Sequence, residues 1–254
     1  MTLENLEYVD LAVELVSSAR ERGLTLRILG SLAYRLHCPA NLELFDQMKR
    51  DLTDIDFAAK GAQRKDVRDY LTSLGYLIDQ DILVTTEGKR YAFTEPTTGM
   101  NVDIFFDELF FCHPIPLRDR LDLDFPTITP TDLLLEKMQI VEINPKDVKD
   151  SLVLLLEHPL TPEISEAIDP NYIARLLAGD WGFYHTVTTN LRKLDEEAQK
   201  AGLDAEAEGI VRHRIEELLK AIERVPKSTA WKLRARVGTR VKWYQEVAEK
   251  GRTF

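Results

Sequence analysis

Residues 26–37 read LRILGSLAYRLH, and this stretch predicts a strand that turns directly into a helix. The strand begins with the apolar run at Leu24, Gly30 and Ser31 form the turn, and the helix continues from Leu32. A glycine and a hydroxyl at a helix start let backbone N–H groups approach a phosphate, and the positive end of the helix dipole favours the anion. Most Gly-Ser pairs are simple turns, so this pair indicates a phosphate site only together with other residues.

Two carboxylates follow on a second predicted strand, residues 53–59, which reads TDIDFAA. Asp54 and Asp56 are two positions apart, so a strand projects both from one face and points the residues between them into the apolar layer. Neighbouring carboxylates repel each other, and a divalent cation makes such a pair favourable. Asp103, on the predicted strand NVDIF, adds a third carboxylate, and an oxygen-only donor set suits Mg²⁺. A lone Asp-x-Asp pair is more often part of a solvated edge strand.

Taken together, these residues resemble the pattern of the nucleotidyltransferases of the DNA polymerase β superfamily. In that pattern an apolar residue with Gly-Ser or Gly-Gly precedes an apolar-flanked Asp-x-Asp and a third strand carboxylate. The chain offers Leu29-Gly30-Ser31, Asp54-Ile55-Asp56 and Asp103. The segment between the first two motifs, CPANLELFDQMKRDL, is longer than in the minimal members of the family. The resemblance covers residues 25–158.

Residues 129–155 are similar to the later motifs of the AbiEii-type branch, which contains toxin-related nucleotidyltransferases with a lysine-bearing helix followed by a Lys-Asp segment. Asp147 also lies in the first turn of a helix predicted to start at Asn144-Pro145, where a carboxylate stabilises the helix start without any other role. Lys137 has apolar neighbours and is either partly buried toward a site or extended outward. The matching residues are Lys137, Lys146, Asp147 and Asp150.

The resemblance implies an enzyme that moves an NMP from an NTP to a hydroxyl acceptor. It implies that Asp54 and Asp56 hold two Mg²⁺ ions, and that Asp103 completes one metal site and accepts the proton of the attacking hydroxyl. The implied acceptor is RNA such as tRNA, a protein hydroxyl or a small molecule, and an antitoxin protein is an implied partner if the chain is the toxin of a toxin–antitoxin pair. The alternative is a non-catalytic nucleotide-binding or interaction protein that keeps the fold. The implied NTP-binding residues are Gly30, Ser31, Lys137, Lys146, Asp147 and Asp150.

The order of the predicted elements indicates an α+β protein, with a mixed-sheet domain over residues 1–128 and a helical domain over residues 129–254. In the first half, helices are predicted over 3–22 and 64–74, and strands over 24–30, 53–59, 76–86, 90–96 and 100–106. In the second half, a capping side chain before a proline marks four helix starts. These are Thr129-Pro130, Asn144-Pro145, Thr161-Pro162 and Asp169-Pro170. Longer helical patterns cover 183–200, 204–224 and 229–250.

The net charge of −10 argues against broad, sequence-independent binding of nucleic acid, but the charge is unevenly distributed along the chain. Residues 1–150 carry 17 basic and 27 acidic side chains, whereas residues 225–254 carry eight basic and two acidic ones. A basic stripe of Lys232, Arg236 and Arg240 is predicted beside an apolar seam on the last helix. Such a stripe either contacts RNA phosphates or forms a solvated helix face.

Several classes of protein are excluded by composition. Cys38 and Cys112 lie far apart without a Cys-x-x-Cys spacing, which argues against a zinc ribbon or a disulfide framework. No apolar run approaches the roughly 18 residues that a membrane span requires. The N-terminus is acidic and has helical periodicity, unlike a signal peptide. We therefore expect a reduced, cytoplasmic protein that makes no membrane contact.

Overall fold

The computed structural model describes residues 3–47 and 54–246 and confirms the α+β class. The chain divides into two units, which are described separately. The first consists of Met1–Leu109 and Ile115–Leu133, and the second of Phe110–Pro114 and Leu134–Phe254. The predicted boundary between residues 128 and 129 lies shortly before the break at Leu134.

A mixed sheet forms the centre of the first unit. Within the described residues it has five strands in the order β1-β2-β5-β4-β3, of which β2 and β5 are parallel and the other neighbours antiparallel. The strands are β1 (Leu26–Leu29), β2 (Asp54–Ala59), β3 (Leu77–Ile78), β4 (Arg90–Thr94) and β5 (Asn101–Phe106). A second, two-stranded sheet consists of β6 (Glu108–Phe110) and β7 (Pro114–Pro116).

Helices flank the sheet of the first unit. They are α1 (Leu3–Glu21), α2 (Gly30–His37), α3 (Leu42–Gln47), α4 (Arg64–Ser73) and α5 (Gln80–Thr85). The helix α1 packs against β1 and α2 and buries Ala12, Val16 and Ala19 completely. It ends where predicted, because Gly23 adopts a φ of +74°, a left-handed conformation that glycine reaches without a Cβ penalty.

The second unit is built almost entirely of helices, as predicted from the capping residues that precede prolines. Its elements, with α6 shared between the units, are α6 (Pro130–Met138), α7 (Pro145–Glu157), α8 (Pro170–Gly179), α9 (Trp181–Ala198), α10 (Ala205–Arg224) and α11 (Thr229–Val237). The side chains of Thr129, Asn144 and Asp169 accept backbone N–H groups at the starts of α6, α7 and α8, which confirms three of the four marked starts. The helix α10 packs against α7, α8 and α9. No helix of the described part is both long and apolar enough to cross a membrane.

The strand predicted over 76–86 is wrong beyond its first residues. Only Leu77 and Ile78 pair with β4, and α5 follows at once. The Asp79 side chain accepts hydrogen bonds from the backbone N–H groups of Asp81 and Ile82 and therefore starts a helix. A local cap outweighs the β-branched residues that suggested a strand.

The helix start predicted at Thr161-Pro162 is also wrong. The Thr161 backbone N–H donates to the Ile168 carbonyl at 3.0 Å, and Leu160 forms a parallel bridge with Ile168. These bonds hold the segment as a loop, so no helix begins at Thr161-Pro162.

The last predicted helix, 229–250, is much shorter in the structure. It ends at Val237, and Gly238 follows with a φ of +62° and begins a 3₁₀ turn. Residues 247–250 of that prediction lie outside the described residues. The predicted apolar seam consists of Leu233, Val237, Val241 and Tyr244. The first three are exposed, at 55%, 41% and 58%, and Tyr244 is half-buried.

Candidate functional site

The register of two parallel strands brings the three predicted carboxylates to one face of the sheet. Asp56 on β2 lies opposite Asp103 on β5, and Asp54 lies two residues before Asp56. Adjacent strands are about 4.8 Å apart, and residues in register point to the same side. On the other face, Ile55 and Phe57 are fully buried. The alternation predicted from TDIDF is therefore present, with carboxylates on one side and apolar core on the other.

The Gly-Ser turn lies directly against this carboxylate group. Leu29, the last residue of β1, is in register with Asp56, and Gly30 begins α2 with a φ of +67°. A Cβ atom added to Gly30 would lie 2.6 Å from the Asp56 Oδ2 atom. Only glycine fits both this backbone conformation and this approach. The half-buried Ser31 is the next residue of the same helical turn.

The start of α2 has the form of an anion-binding helix N-terminus. The residue before the helix is Leu29, whose apolar side chain makes no capping hydrogen bond. Its first turn contains no acidic residue. The positive end of the helix dipole therefore lies beside Gly30 without a carboxylate in its own first turn.

Arg90 is a member of this group that the sequence does not reveal. Its Nε donates to Asp103 Oδ1 at 3.1 Å and its Nη2 to Oδ2 at 2.6 Å, a two-point ion pair. Ala92 is in register with Asp103, so Arg90, two residues earlier on β4, faces the same side of the sheet. Its position depends on strand register, which residue spacing in the sequence does not give.

Exposure differs among the three carboxylates. Asp54 and Asp56 are half-buried, whereas Asp103 is only 8% exposed. The Asp-x-Asp pair is therefore more open to solvent than Asp103, and Arg90 is half-buried like the pair.

The second unit holds a separate buried cluster around Lys137 on α6. The Lys137 Nζ lies 3.0 Å from Glu136 Oε1 and 3.2 Å from Asp147 Oδ1. Burial alone would lower the pKa of the Lys137 ammonium group. The carboxylates of Glu136, Asp147 and Asp150 outweigh burial and hold this pKa above its ordinary value. Lys137 is thus a buried cation inside its own unit and does not extend outward.

Asp147 lies in the first turn of α7, as predicted, and makes two contacts there. Its Oδ2 accepts a hydrogen bond from Asn144 Nδ2 at 2.6 Å, which supports the cap of α7, and its Oδ1 faces Lys137. Asp150 is 1% exposed and belongs to the same electrostatic cluster. Lys146 differs from these residues because its side chain is exposed. The cluster therefore includes Lys137, Asp147 and Asp150, and adds Glu136, which the motif comparison does not include.

The predicted site residues thus form two groups. Gly30, Asp54, Asp56 and Asp103 lie together in the first unit, with Ser31 next to them in sequence. The residues matched to the later motifs lie in the second unit. Chemically, the first group is an oxygen donor set beside a helix N-terminus, and the second is a buried ion-pair cluster.

We predict that Gly30→Ala disrupts the carboxylate group and that Gly23→Ala does not. Both glycines have positive φ, so each alanine should cost about 1–2 kcal/mol of stability through backbone strain. Only at Gly30 does the new methyl group also meet a carboxylate, because no atom lies within 4 Å of a Cβ at Gly23. The clash with Asp56 should therefore make Gly30→Ala the more destabilising of the two. Thermal unfolding of both variants tests this; equal losses of stability would contradict it.

No protein-family model matches this chain, and no curated protein or solved structure is significantly similar to it.

Proposed function

We propose that the chain is a Mg²⁺-dependent nucleotidyltransferase that moves an NMP from an NTP to a hydroxyl acceptor. The observation that carries the proposal is the contact between two motifs distant in sequence. Gly30 at the start of α2 approaches Asp56, and Asp56 is in register with Asp103. A phosphate-binding helix start beside three carboxylates is the combination that metal-assisted phosphoryl chemistry requires.

The chemistry of these residues suits divalent cations, and in the structure the oxygens of Asp54, Asp56 and Asp103 do not all lie within 4.8 Å of one another. The donor set consists of carboxylate oxygens on one sheet face, with no thiol or imidazole needed, which suits Mg²⁺. The absence of a side chain at Gly30 leaves room at Asp56 Oδ2 that a Cβ would fill. We propose that Asp54 and Asp56 hold Mg²⁺ and that Asp103 completes one metal site. When bound, Mg²⁺ stabilises negative charge on the transferring phosphoryl group and on the leaving pyrophosphate.

In this proposal the protein's own groups position the reactants. The oxygen of the acceptor hydroxyl forms a bond to the α-phosphorus of the NTP, and the bond from that phosphorus to the bridging oxygen breaks, so that pyrophosphate leaves with the electron pair. The backbone N–H groups of Gly30 and Ser31 bind the β- and γ-phosphates. Asp103 accepts the proton of the attacking hydroxyl, and Arg90 orients the Asp103 carboxylate.

The residues of the second unit are assigned different parts in the proposal. The positive charge of Lys137 is already paired with the carboxylates of Glu136 and Asp147. This pairing favours a positioning role for Lys137 over direct contact with a triphosphate. Lys146 is exposed, and its part in NTP binding rests on the resemblance alone. Asp147 and Asp150 then serve to hold the end of α6 against the start of α7.

A transfer assay tests the proposal and identifies the acceptor. Each NTP, labelled at the α-phosphate, is incubated with the protein, Mg²⁺ and in turn total tRNA, a protein lysate or a small-molecule extract. Mg²⁺-dependent label in one acceptor fraction, with pyrophosphate released in equal amount, is the expected result. If no fraction acquires label and no pyrophosphate forms with any NTP, the proposed activity is wrong.

The Arg90–Asp103 ion pair supports a second candidate, a nucleotide-binding protein without transferase activity. A carboxylate engaged by an arginine through both oxygens is less available to a metal and to a proton. Such a protein would bind an NTP at the Gly30 turn and release neither pyrophosphate nor a labelled product. NTP binding alone therefore does not separate the two functions, and product formation does.

We predict that Arg90→Gln makes the enzyme require less Mg²⁺. The arginine competes with a cation for Asp103, and loss of a competing ion pair worth about 1 kcal/mol corresponds to about fivefold tighter metal binding. The Mg²⁺ concentration for half-maximal transfer measures the effect. Arg68→Gln is the matched control, because Arg68 pairs with the exposed Asp69 on α4. A higher Mg²⁺ requirement in Arg90→Gln would contradict competition.

A further inference from the structure

An aromatic cavity in the second unit lies outside the proposed transferase site. It has a volume of about 540 Å³ and lies between the start of α9, α11 and residues 241–246, which we name the C-terminal segment. All three tryptophans of the sequence line it, namely Trp181, Trp231 and Trp243. Specific small-molecule sites typically have volumes of about 300–1,000 Å³ and a few placed polar groups. The volume falls within this range, and the lining combines aromatic rings with polar groups.

Specific contacts of the C-terminal segment build the cavity. The Gln245 backbone N–H donates to the Cys112 carbonyl at 3.0 Å, and Trp243 Nε1 donates to Thr186 Oγ1 at 3.1 Å. The segment also passes very close to α9, because a Cβ on Gly182 would lie 2.4 Å from the Trp243 carbonyl oxygen. A glycine at this position is thus required for the segment to reach its place.

The aromatic rings present ordered faces and edges. Trp181 stacks on His185 with 5.1 Å between ring centroids and an interplanar angle of 9°. The Arg234 guanidinium lies 4.7 Å from the Trp181 ring centroid, and the Trp243 ring meets His185 edge-on at 5.2 Å. Such packing fixes the orientation of the rings, so a planar ligand loses little side-chain entropy of the protein when it stacks.

The charges that line the cavity are mainly positive. Arg234 donates to the carbonyls of Gly238 at 2.7 Å and Val241 at 2.9 Å, and within the described residues it forms no salt bridge with a carboxylate. Lys242 pairs with Glu246, but both side chains are exposed and such a pair is weak. The Asp180 carboxylate is engaged as the cap of α9.

The histidines near the cavity add no charge at neutral pH. Burial lowers the pKa of His113 to about 4, and burial together with Arg192 lowers the pKa of His185. Both are then neutral. The cations Arg234 and Lys242 therefore give the lining of the cavity its positive charge.

We propose that this cavity binds the base and phosphate of a nucleotide. The base stacks on the ring of the half-buried Trp231 or Trp243, since Trp181 is only 8% exposed. The phosphate lies near Lys242 and Arg234. Base stacking on an aromatic side chain contributes about 1–3 kcal/mol and tolerates any base. A quaternary ammonium ligand also uses aromatic faces, but two cations oppose it. This site goes beyond the proposed transferase function, because it requires neither Mg²⁺ nor the carboxylates of the first unit. The nucleotide is either free or part of a single strand.

Intrinsic tryptophan fluorescence measures this binding directly, because every tryptophan of the chain lines the cavity. We titrate the Asp54→Asn/Asp56→Asn variant without divalent cations, using AMP in one series and an oligoadenylate of about twelve nucleotides in the other. Failure of the transferase proposal then has no influence on the result. Saturable quenching supports the site; tighter binding of the oligoadenylate identifies a strand as the source, and equal affinity per site identifies the free nucleotide.

A matched pair of lysine variants locates the phosphate. Lys242→Ala should weaken the affinity for the quenching ligand about five- to tenfold, which corresponds to about 1–1.4 kcal/mol. Lys232→Ala removes an equally exposed cation of α11 that does not line the cavity, and it should change nothing. Circular dichroism verifies that both variants are folded. The proposal is overturned if neither AMP nor the oligoadenylate quenches the fluorescence saturably. It is also overturned if Lys242→Ala and Lys232→Ala lose the same affinity.

Discussion

Replacing Asp54 and Asp56 together by asparagine should lower nucleotidyl transfer by at least about 1,000-fold. Asparagine keeps the shape of each side chain but removes the negative charge and one anionic oxygen donor. Removing a single preorganised group that stabilises transition-state charge already costs about 100- to 1,000-fold. In the proposal the two positions hold the same metal ions, so their losses should not be additive and the single variants should be nearly as inactive as the double one.

The folded state should tolerate this change. Asp54 and Asp56 share one face of β2, and asparagine keeps the size and the hydrogen-bonding capacity of each side chain, so the melting temperature should change little. Asp69→Asn on α4 is the matched control, since it removes an exposed carboxylate paired with Lys65 and should leave activity intact. Transfer by the double variant within about tenfold of the parent rate would contradict a role for these carboxylates in the chemistry.

Lys137→Met should be the most destabilising single substitution in the second unit. It leaves the buried carboxylates of Glu136, Asp147 and Asp150 without their central cation. Removing one partner of a buried ion pair costs about 3–5 kcal/mol, because the remaining charge is buried without compensation. Denaturant unfolding of the parent and the variant measures the loss in the free energy of unfolding.

Two further variants test the origin of that loss. Lys220→Met removes a lysine of α10 whose partners Glu216 and Glu217 are exposed, and it should cost at most about 1 kcal/mol. Adding Glu136→Gln to Lys137→Met removes one of the orphaned charges and should recover part of the stability. If Lys137→Met and Lys220→Met destabilise the protein equally, the cluster around Lys137 is not the electrostatic centre of its unit.

The sequence predicts the part of the candidate site that depends on local pattern. Alternation in TDIDF places Asp54 and Asp56 on one face, and the glycine before LAYRLH places Gly30 at a helix start; both features hold in the structure. The contact of Gly30 with Asp56 and the two-point pairing of Arg90 with Asp103 depend on which strands are neighbours. Strand order is a tertiary property, so these contacts do not follow from spacing along the chain.

The errors in element assignment have one physical origin. The residues after Ile78 favour a strand by composition, yet the Asp79 side chain caps a helix there. Thr161-Pro162 carries a helix-start signal, but the hydrogen bonds to Ile168 fix a loop. In both places a few specific hydrogen bonds outweigh the average preference of the local residues. The aromatic cavity could not be predicted from the sequence either. The last helix ends at Val237, and only because it ends there do Trp243 and Trp181 line the same cavity.

The most direct test of the central claim compares two positions of the label in one NTP. The protein is incubated with Mg²⁺, the identified acceptor and an NTP labelled either at the α-phosphate or at the γ-phosphate. Nucleotidyl transfer predicts that the α-label enters the acceptor and that the γ-label leaves entirely as pyrophosphate, with both signals lost in Asp54→Asn/Asp56→Asn. Transfer of the γ-label to the acceptor, or release of the γ-label as inorganic phosphate without labelled acceptor, would contradict the claim.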